Sequence, residues 1–291
     1  MEREGCNSQT IWEARTMVPA HAESPDELLH LATDIAREAG ALLLRHHQDV
    51  LAIETKAGAG DVVSAADRDA EALILRRLRA ARPDDGVIAE ESGTIAGASG
   101  LTWIIDPLDG SSNYVHGATP FAVSIAVCDH VDDRRLAPRA GVVFDPVGGE
   151  VFGAARGSGA VLNGARLRRR PVRALDGALV ATGLAHTPAL RSAQLAVLAR
   201  LLPQVGDLRR SGSAAVDLCW VAAGRIEAFF QPGLKVWDYA AAQLVLTESG
   251  CDFRLAAGLE DSTETIVAAS PEVSADFLAA LSAAGIAEAP R

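Results

Sequence analysis

The chain has 291 residues, enough for one large domain or two fused lobes, and 49% apolar against 22% charged residues excludes disorder as the dominant state. A net charge of −11 argues against broad electrostatic binding to nucleic acid, which needs basic surface to displace counterions. A phosphorylated small molecule stays open, because bound metal ions invert the local sign.

Aromatic residues make up only 4%, so Ala, Leu and Val must carry the core. Cys6, Cys128, Cys219 and Cys251 lie far apart and form no C-x-x-C pair, so buried free thiols are expected rather than a disulfide frame. No apolar run approaches the about 18 residues of a membrane span, and residues 1–23 lack the apolar stretch of a signal peptide. A cytoplasmic protein is expected, with a flexible tail over 1–23 and one domain over 24–291. Met1 and Met17 are the only methionines, so Met17 is a second possible start.

Ser24-Pro25-Asp26-Glu27 opens the folded part as a capping box, with proline at the first helical position. The helix it starts runs to about His47, with Leu28, Leu31, Ile35, Ala39, Leu42 and Leu43 at helical spacing. The adjacent His46 and His47 are expected at its end, where positive charge is favourable. A second helix is expected over about 65–79, then a turn at Asp84-Asp85-Gly86 and a short strand from Gly86 to Ile88 that leads to Glu90-Glu91. Strands follow at 102–105 and 121–128, and a meander with Gly-rich turns covers 141–144, 150–155 and 159–162. Arg166, Arg168, Arg169, Arg170 and Arg173 form a basic cluster that reads as a solvated loop. Past Ala178–Thr182, a helix near 191–202, a strand near 207–211, helices over 213–222 and 239–248, a strand at 265–268 and a helix at 275–283 complete the chain. Strands grouped between helices predict an α+β or mixed α/β layered sandwich rather than regular βαβ alternation.

Chemistry concentrates where the apolar run Trp103-Ile104-Ile105 meets Asp106-Pro107-Leu108-Asp109-Gly110-Ser111-Ser112-Asn113. Two acids at the mouth of a buried strand are costly without a counter-charge, and a hard divalent cation, Mg²⁺ by preference, resolves this with carboxylate and carbonyl oxygens. Gly110, Ser111 and Ser112 supply small residues, amides and hydroxyls for a phosphate. Three further segments set acids beside small or polar residues: Asp61 to Asp67, Glu90-Glu91-Ser92 and Trp237-Asp238.

Taken in this order, the four segments resemble the inositol monophosphatase family over about residues 27–285. Residues 106–113 match its D-P-x-D-G-[ST]-x-N core, and Trp237-Asp238-Tyr239-Ala240-Ala241 matches its second signature. The resemblance implies an αβαβα sandwich, a homodimer, lithium sensitivity and a Mg²⁺-dependent phosphatase with two or three ions per site. It implies that Glu90, Asp106 and the Leu108 carbonyl bind one ion and that Asp106, Asp109 and Asp238 bind the second. Ser111, where the family usually has threonine, would pair with Asp67 to orient and deprotonate the attacking water. A further ion is implied near Glu90. Lys56 matches a family lysine near the water network, and Asp61 is expected to be a loop or turn acid without a catalytic role.

The same resemblance assigns substrate contacts to Gly110, Ser111, Ser112, Gly212, Ser213, Ala214 and Gln231. Gln231 stands where inositol monophosphatases commonly carry glutamate, so it keeps one acceptor oxygen and loses the charge. The expected substrate is inositol 1-phosphate or a similar small phosphorylated alcohol. Fructose 1,6-bisphosphate, histidinol phosphate and 3′-phosphoadenosine 5′-phosphate are alternatives, because the core motif fixes the reaction and not the alcohol. Some bacterial members of the family act as regulatory binding proteins, which is the rival from another class.

Overall fold

A computed structural model describes residues 23–52, 59–129, 136–169, 174–185, 187–259 and 264–287. Helices α1 (Pro25–Ala52) and α2 (Ala59–Ala81) come first, then strands β1 (Gly86–Ala89), β2 (Gly93–Ile95) and β3 (Leu101–Asp109) and the short helix α3 (Ser111–Val115). Strands β4 (Ala122–Asp129), β5 (Pro138–Asp145), β6 (Glu150–Ala155), β7 (Gly159–Leu162) and β8 (Ala165–Arg166) form the meander. Next are β9 (Leu179–Ala181), α4 (Pro188–Leu201), β10 (Asp207–Arg209), α5 (Ala214–Ala222), β11 (Ala228–Pro232), α6 (Val236–Glu248), β12 (Asp252–Ala256), β13 (Thr265–Ala269) and α7 (Ser274–Ala284).

Two mixed sheets result, one of eight strands in the order β2-β1-β3-β4-β5-β6-β7-β8 and one of five in the order β10-β9-β11-β13-β12. Side chains alternate across the larger sheet. Trp103, Ile105, Val123, Ile125, Val127 and Val142 pack under α1 and α2, while Ile104, Ala122, Ala126, Cys128 and Val143 face α5 and α6. The smaller sheet covers the other side of α5 and α6 and is itself covered by α4 and α7. The layers therefore run αβαβα. Helices α5 and α6 lie between two sheets, which explains why they are apolar almost all round. Small residues allow close approach: a Cβ on Gly141 of β5 would stand 2.8 Å from the Ala241 carbonyl oxygen of α6.

The capping box forms as the sequence predicts, Ser24 N–H donating to Glu27 at 2.8 Å and Glu27 N–H to Ser24 Oγ at 3.3 Å. Several expectations are corrected. Helix α1 continues to Ala52, so His46 and His47 do not end it. His46 lies 3.7 Å from Asp69, and His47 is buried against the rings of Tyr114 and Phe121. Helix α2 starts at Ala59, so Asp61 is helical rather than a loop acid. Strand β3 continues through Asp109 with a register irregularity between Asp106 and Asp109. Proline has no N–H to donate to a ladder, and Pro107 sits at that irregularity. Strands β2, β8, β11 and β12 were not expected. Lys56, Cys6, Met1, Met17, Arg170 and Arg173 lie outside the described residues. Cys128, Cys219 and Cys251 are buried free thiols.

Candidate active site

A cavity of about 140 Å³ opens where β3, α3, α5, β11 and α6 meet, and it collects residues from distant parts of the chain. Glu90 follows β1; Asp106, Leu108 and Asp109 end β3; Asp238 lies in the first turn of α6. All five line the cavity. So do Gly110, Ser111, Ser112, Gly212, Ser213, Ala214 and Gln231. Asp67 is buried on α2 and does not line it, and among the described residues Asp67 Oδ1 has no hydrogen-bond partner.

Each acid is held by its own element. Leu108 N–H donates to Asp106 Oδ1 at 2.9 Å across Pro107, a local turn that the imide-containing strand end permits. Asp109 is clamped from across the molecule: the Ser213 hydroxyl and the Ala215 N–H, the latter at 2.8 Å, both donate to Oδ2. Asp238 caps α6 by accepting the Lys235 N–H at 2.7 Å, and the helix N-terminus favours a carboxylate there. Ser124 of β4 donates to the Trp237 carbonyl at 3.2 Å, which ties the start of α6 to the larger sheet.

The wall beside Asp109 is shaped by two left-handed glycines. Gly110 has φ 89° and Gly212 φ 103°. A Cβ on Gly212 would stand 2.6 Å from the Asn113 amide, and one on Gly110 would stand 3.1 Å from the Pro120 carbonyl oxygen. Asn113 bridges the Pro120 and Ser211 carbonyls at 2.7 and 2.8 Å, locking the 110–113 segment to the loop before α5. Ser111 and Ser112 are exposed, and amides that open a helix have no partner within it.

Electrostatically the site is under strain. Burial, then the charges of Asp109, Glu90 and Asp238, holds Asp106 well above the usual carboxylate range. Asp109 is raised by burial, which the donors from Ser213 and Ala215 partly offset. Burial and Asp109 push Asp238 to about 7. Burial and the neighbouring Glu90, Glu91 and Glu71 push Asp67 to about 8. Partial burial raises Glu90, whose side chain hydrogen-bonds Asp106, a contact that two carboxylates make only by sharing a proton.

A divalent cation relieves the same repulsion, and the donors are all oxygens, the set suited to Mg²⁺. Among the described residues, no three His, Cys, Asp or Glu side chains converge as a ready-made cage. The side chains as placed do not close a cage by themselves, so water would complete the shell of any ion held there.

The inositol monophosphatase family profile matches residues 24–286. The chain belongs to this family. It is 44% identical over 232 residues to the Nus factor SuhB of Haemophilus influenzae, covering 78% of this chain and 85% of that protein. The Nus factor SuhB of Escherichia coli K12 is 40% identical over 228 residues, covering 77% and 83%. Among solved structures, Mycobacterium tuberculosis SuhB superposes with a TM-score of 0.78 at 34% identity, covering 91% of this chain and 99% of that one. Inositol monophosphatase from Anabaena (Nostoc) gives 0.76 at 31%, covering 89% and 96%. The family is a Mg²⁺-dependent phosphatase family in general.

Arg210, which opens the segment that the family resemblance sets against the alcohol, also lines the cavity, as do Asp217, Gly183, Leu184 and Leu234, none of which was among the site residues expected from the sequence. Asp217 had a signal, being the one acid inside the apolar run of α5. Gly183 did not. Its backbone packs so tightly on Gln231 that an added Cβ would stand 2.0 Å from Gln231 Oε1. Buried Gln194 holds that loop, accepting the Ala185 N–H at 3.0 Å and donating to Thr182 Oγ1 at 3.1 Å.

Proposed function

We propose that this protein is a Mg²⁺-dependent phosphomonoesterase that hydrolyses inositol 1-phosphate, or a similar small phosphorylated alcohol, to the alcohol and phosphate. The observation that carries this is the meeting of Glu90, Asp106, Asp109 and Asp238, from three separate parts of the chain, on one cavity that the Gly110–Ser112 segment also lines. Those four carboxylates and the Leu108 carbonyl would hold two or three Mg²⁺ ions. When bound, Mg²⁺ supplies Lewis acidity toward the phosphoryl oxygens and makes water a nucleophile at neutral pH.

The chain's own groups do the rest. The amides at Gly110, Ser111 and Ser112 cradle the phosphate oxygens. Ser111, on the cavity wall, would orient the attacking water, and the buried Asp67, charge-coupled to Glu90, would take its proton in the ionised form that a bound cation favours. Gly212, Ser213, Ala214 and Gln231 bound the side where the alcohol sits. Arg210 is the one Lys or Arg among the described lining residues, which favours a single phosphate over a bisphosphate. A homodimer and inhibition by lithium are part of the same proposal.

Side-by-side kinetics on inositol 1-phosphate, fructose 1,6-bisphosphate, histidinol phosphate and 3′-phosphoadenosine 5′-phosphate test the substrate. The inositol ester should be hydrolysed with the highest kcat/KM, and better turnover of another overturns that choice. Asp109→Asn should lose Mg²⁺-dependent turnover on every ester.

The naming of close relatives as Nus factors favours a second role, as a regulatory binding protein. If Asp109→Asn abolishes hydrolysis but restores growth to a deletion strain as well as wild type does, that role stands apart from catalysis.

A further inference from the structure

Asp217 is 1% exposed, lines the cavity, and leaves Oδ1 without a hydrogen-bond partner among the described residues. Such a group is expensive to keep, because a buried carboxylate oxygen that has given up water and gained no donor is destabilising. It is also unassigned: of the five acids on the cavity wall, Glu90, Asp106, Asp109 and Asp238 form the proposed metal set, and Asp217 is the one left over. It is fixed in place. Its N–H donates to the Ser213 carbonyl at 3.1 Å in the first turn of α5, and Ser211 donates to its carboxylate. The wall also carries Gly212, Ser213 and Ala214 on the alcohol side, Arg210, whose charge acts on Asp217, Gln231 as a neutral amide, and apolar Leu184 and Leu234.

Resting on the phosphomonoesterase reading, we propose that Asp217 is a specificity-determining residue whose free Oδ1 accepts a hydroxyl of the substrate's alcohol part. The anionic acceptor for a polyol then sits on α5, and Gln231 on β11 contributes only a neutral contact. Shielded from bulk water, a hydroxyl bond to this carboxylate is charge-assisted and stronger than one to an amide. An ester whose leaving group has no hydroxyl gains nothing from it.

Two readouts on Asp217→Asn, which keeps the shape and removes the charge, test this. With myo-inositol 1-phosphate, KM should rise about tenfold, the margin of a charged over a neutral hydrogen bond, with kcat near wild type. With p-nitrophenyl phosphate, which has no hydroxyl on its leaving group, KM should not move. At pH 8, where this carboxyl, raised by burial to about 7, is ionised, the metal-free variant should also melt higher, by about 2 °C, because the buried charge is gone. A purely structural Asp217 gives the opposite pattern: a lower melting temperature and equal losses on both esters. Either that pattern or unchanged KM on both overturns the proposal. If wild type with Mg²⁺ hydrolyses neither ester, the phosphatase reading fails, and the proposal fails with it unless Asp217→Asn still melts higher and binds free myo-inositol more weakly in calorimetry.

Discussion

Asp106 is 1% exposed and faces Asp109, Glu90 and Asp238, so its ionised form has no protein counter-charge that matches its burial. Asp106→Asn removes that repulsion while keeping an acceptor for the Leu108 N–H. The variant should melt at or above the wild-type temperature without metal and lose more than about a hundredfold in Mg²⁺-dependent turnover, since even residues that merely support metal ligands cost 10–100-fold. A melting temperature well below wild type would show Asp106 to be structural. The raised acids also set a pH dependence. Asp67 ionises near 8 and Asp238 near 7 in the folded protein, against an ordinary 3.8. Between those limits the folded chain holds protons that the unfolded chain has released, so their contribution is full below about pH 4 and is lost as pH rises through 7 to 8. Thermal melts of metal-free protein from pH 5 to 8 should therefore fall less steeply in Asp67→Asn than in wild type. Identical slopes would contradict the buried, charge-coupled placement of Asp67.

Elements place these side chains, and at Gly141 strand β5 and helix α6 pack backbone against backbone. A Cβ there would meet the Ala241 carbonyl oxygen at 2.8 Å and its Cα at 2.9 Å, backbone atoms that cannot swing aside. Gly141→Ala should cost about 1–3 kcal/mol and weaken Mg²⁺ binding, because it pushes away the helix that carries Asp238. Chemical denaturation and Mg²⁺ calorimetry on the same sample check both effects. Local signals made much of this arrangement legible. The capping box of α1, the Gly-rich turns between β5, β6 and β7 and the close spacing of Asp106 and Asp109 are short-range patterns. β11 escaped because all five of its residues are buried, so Ala-Phe-Phe-Gln-Pro shows no alternation. The far end of α1 escaped because polar His46, His47 and Gln48 resemble a helix terminus, whereas burial of His47 against Tyr114 and Phe121 comes from tertiary packing. The clamp of Ser213 on Asp109 joins residues 104 apart, and no local pattern encodes it.

At the scale of the whole molecule, the cavity sits at the junction of both sheets and the helix layer between them. β1 and β3 deliver acids from the eight-stranded sheet, α6 from the middle layer, and β11 sets Gln231 from the five-stranded sheet. An ion held there ties layers together, so Mg²⁺ should raise the melting temperature of wild type in a concentration-dependent way and leave Asp106→Asn unmoved. The acidic balance of the chain and the one arginine on the described cavity wall agree with a small substrate reached through metal rather than a broad polyanion. No helix among the described residues is long and apolar enough to cross a membrane. The most direct test of the central claim is phosphate release from myo-inositol 1-phosphate by wild type as Mg²⁺ is titrated. The account predicts no release without Mg²⁺ and saturable release with it, abolished in Asp106→Asn; release that ignores Mg²⁺, or that survives Asp106→Asn, would contradict it.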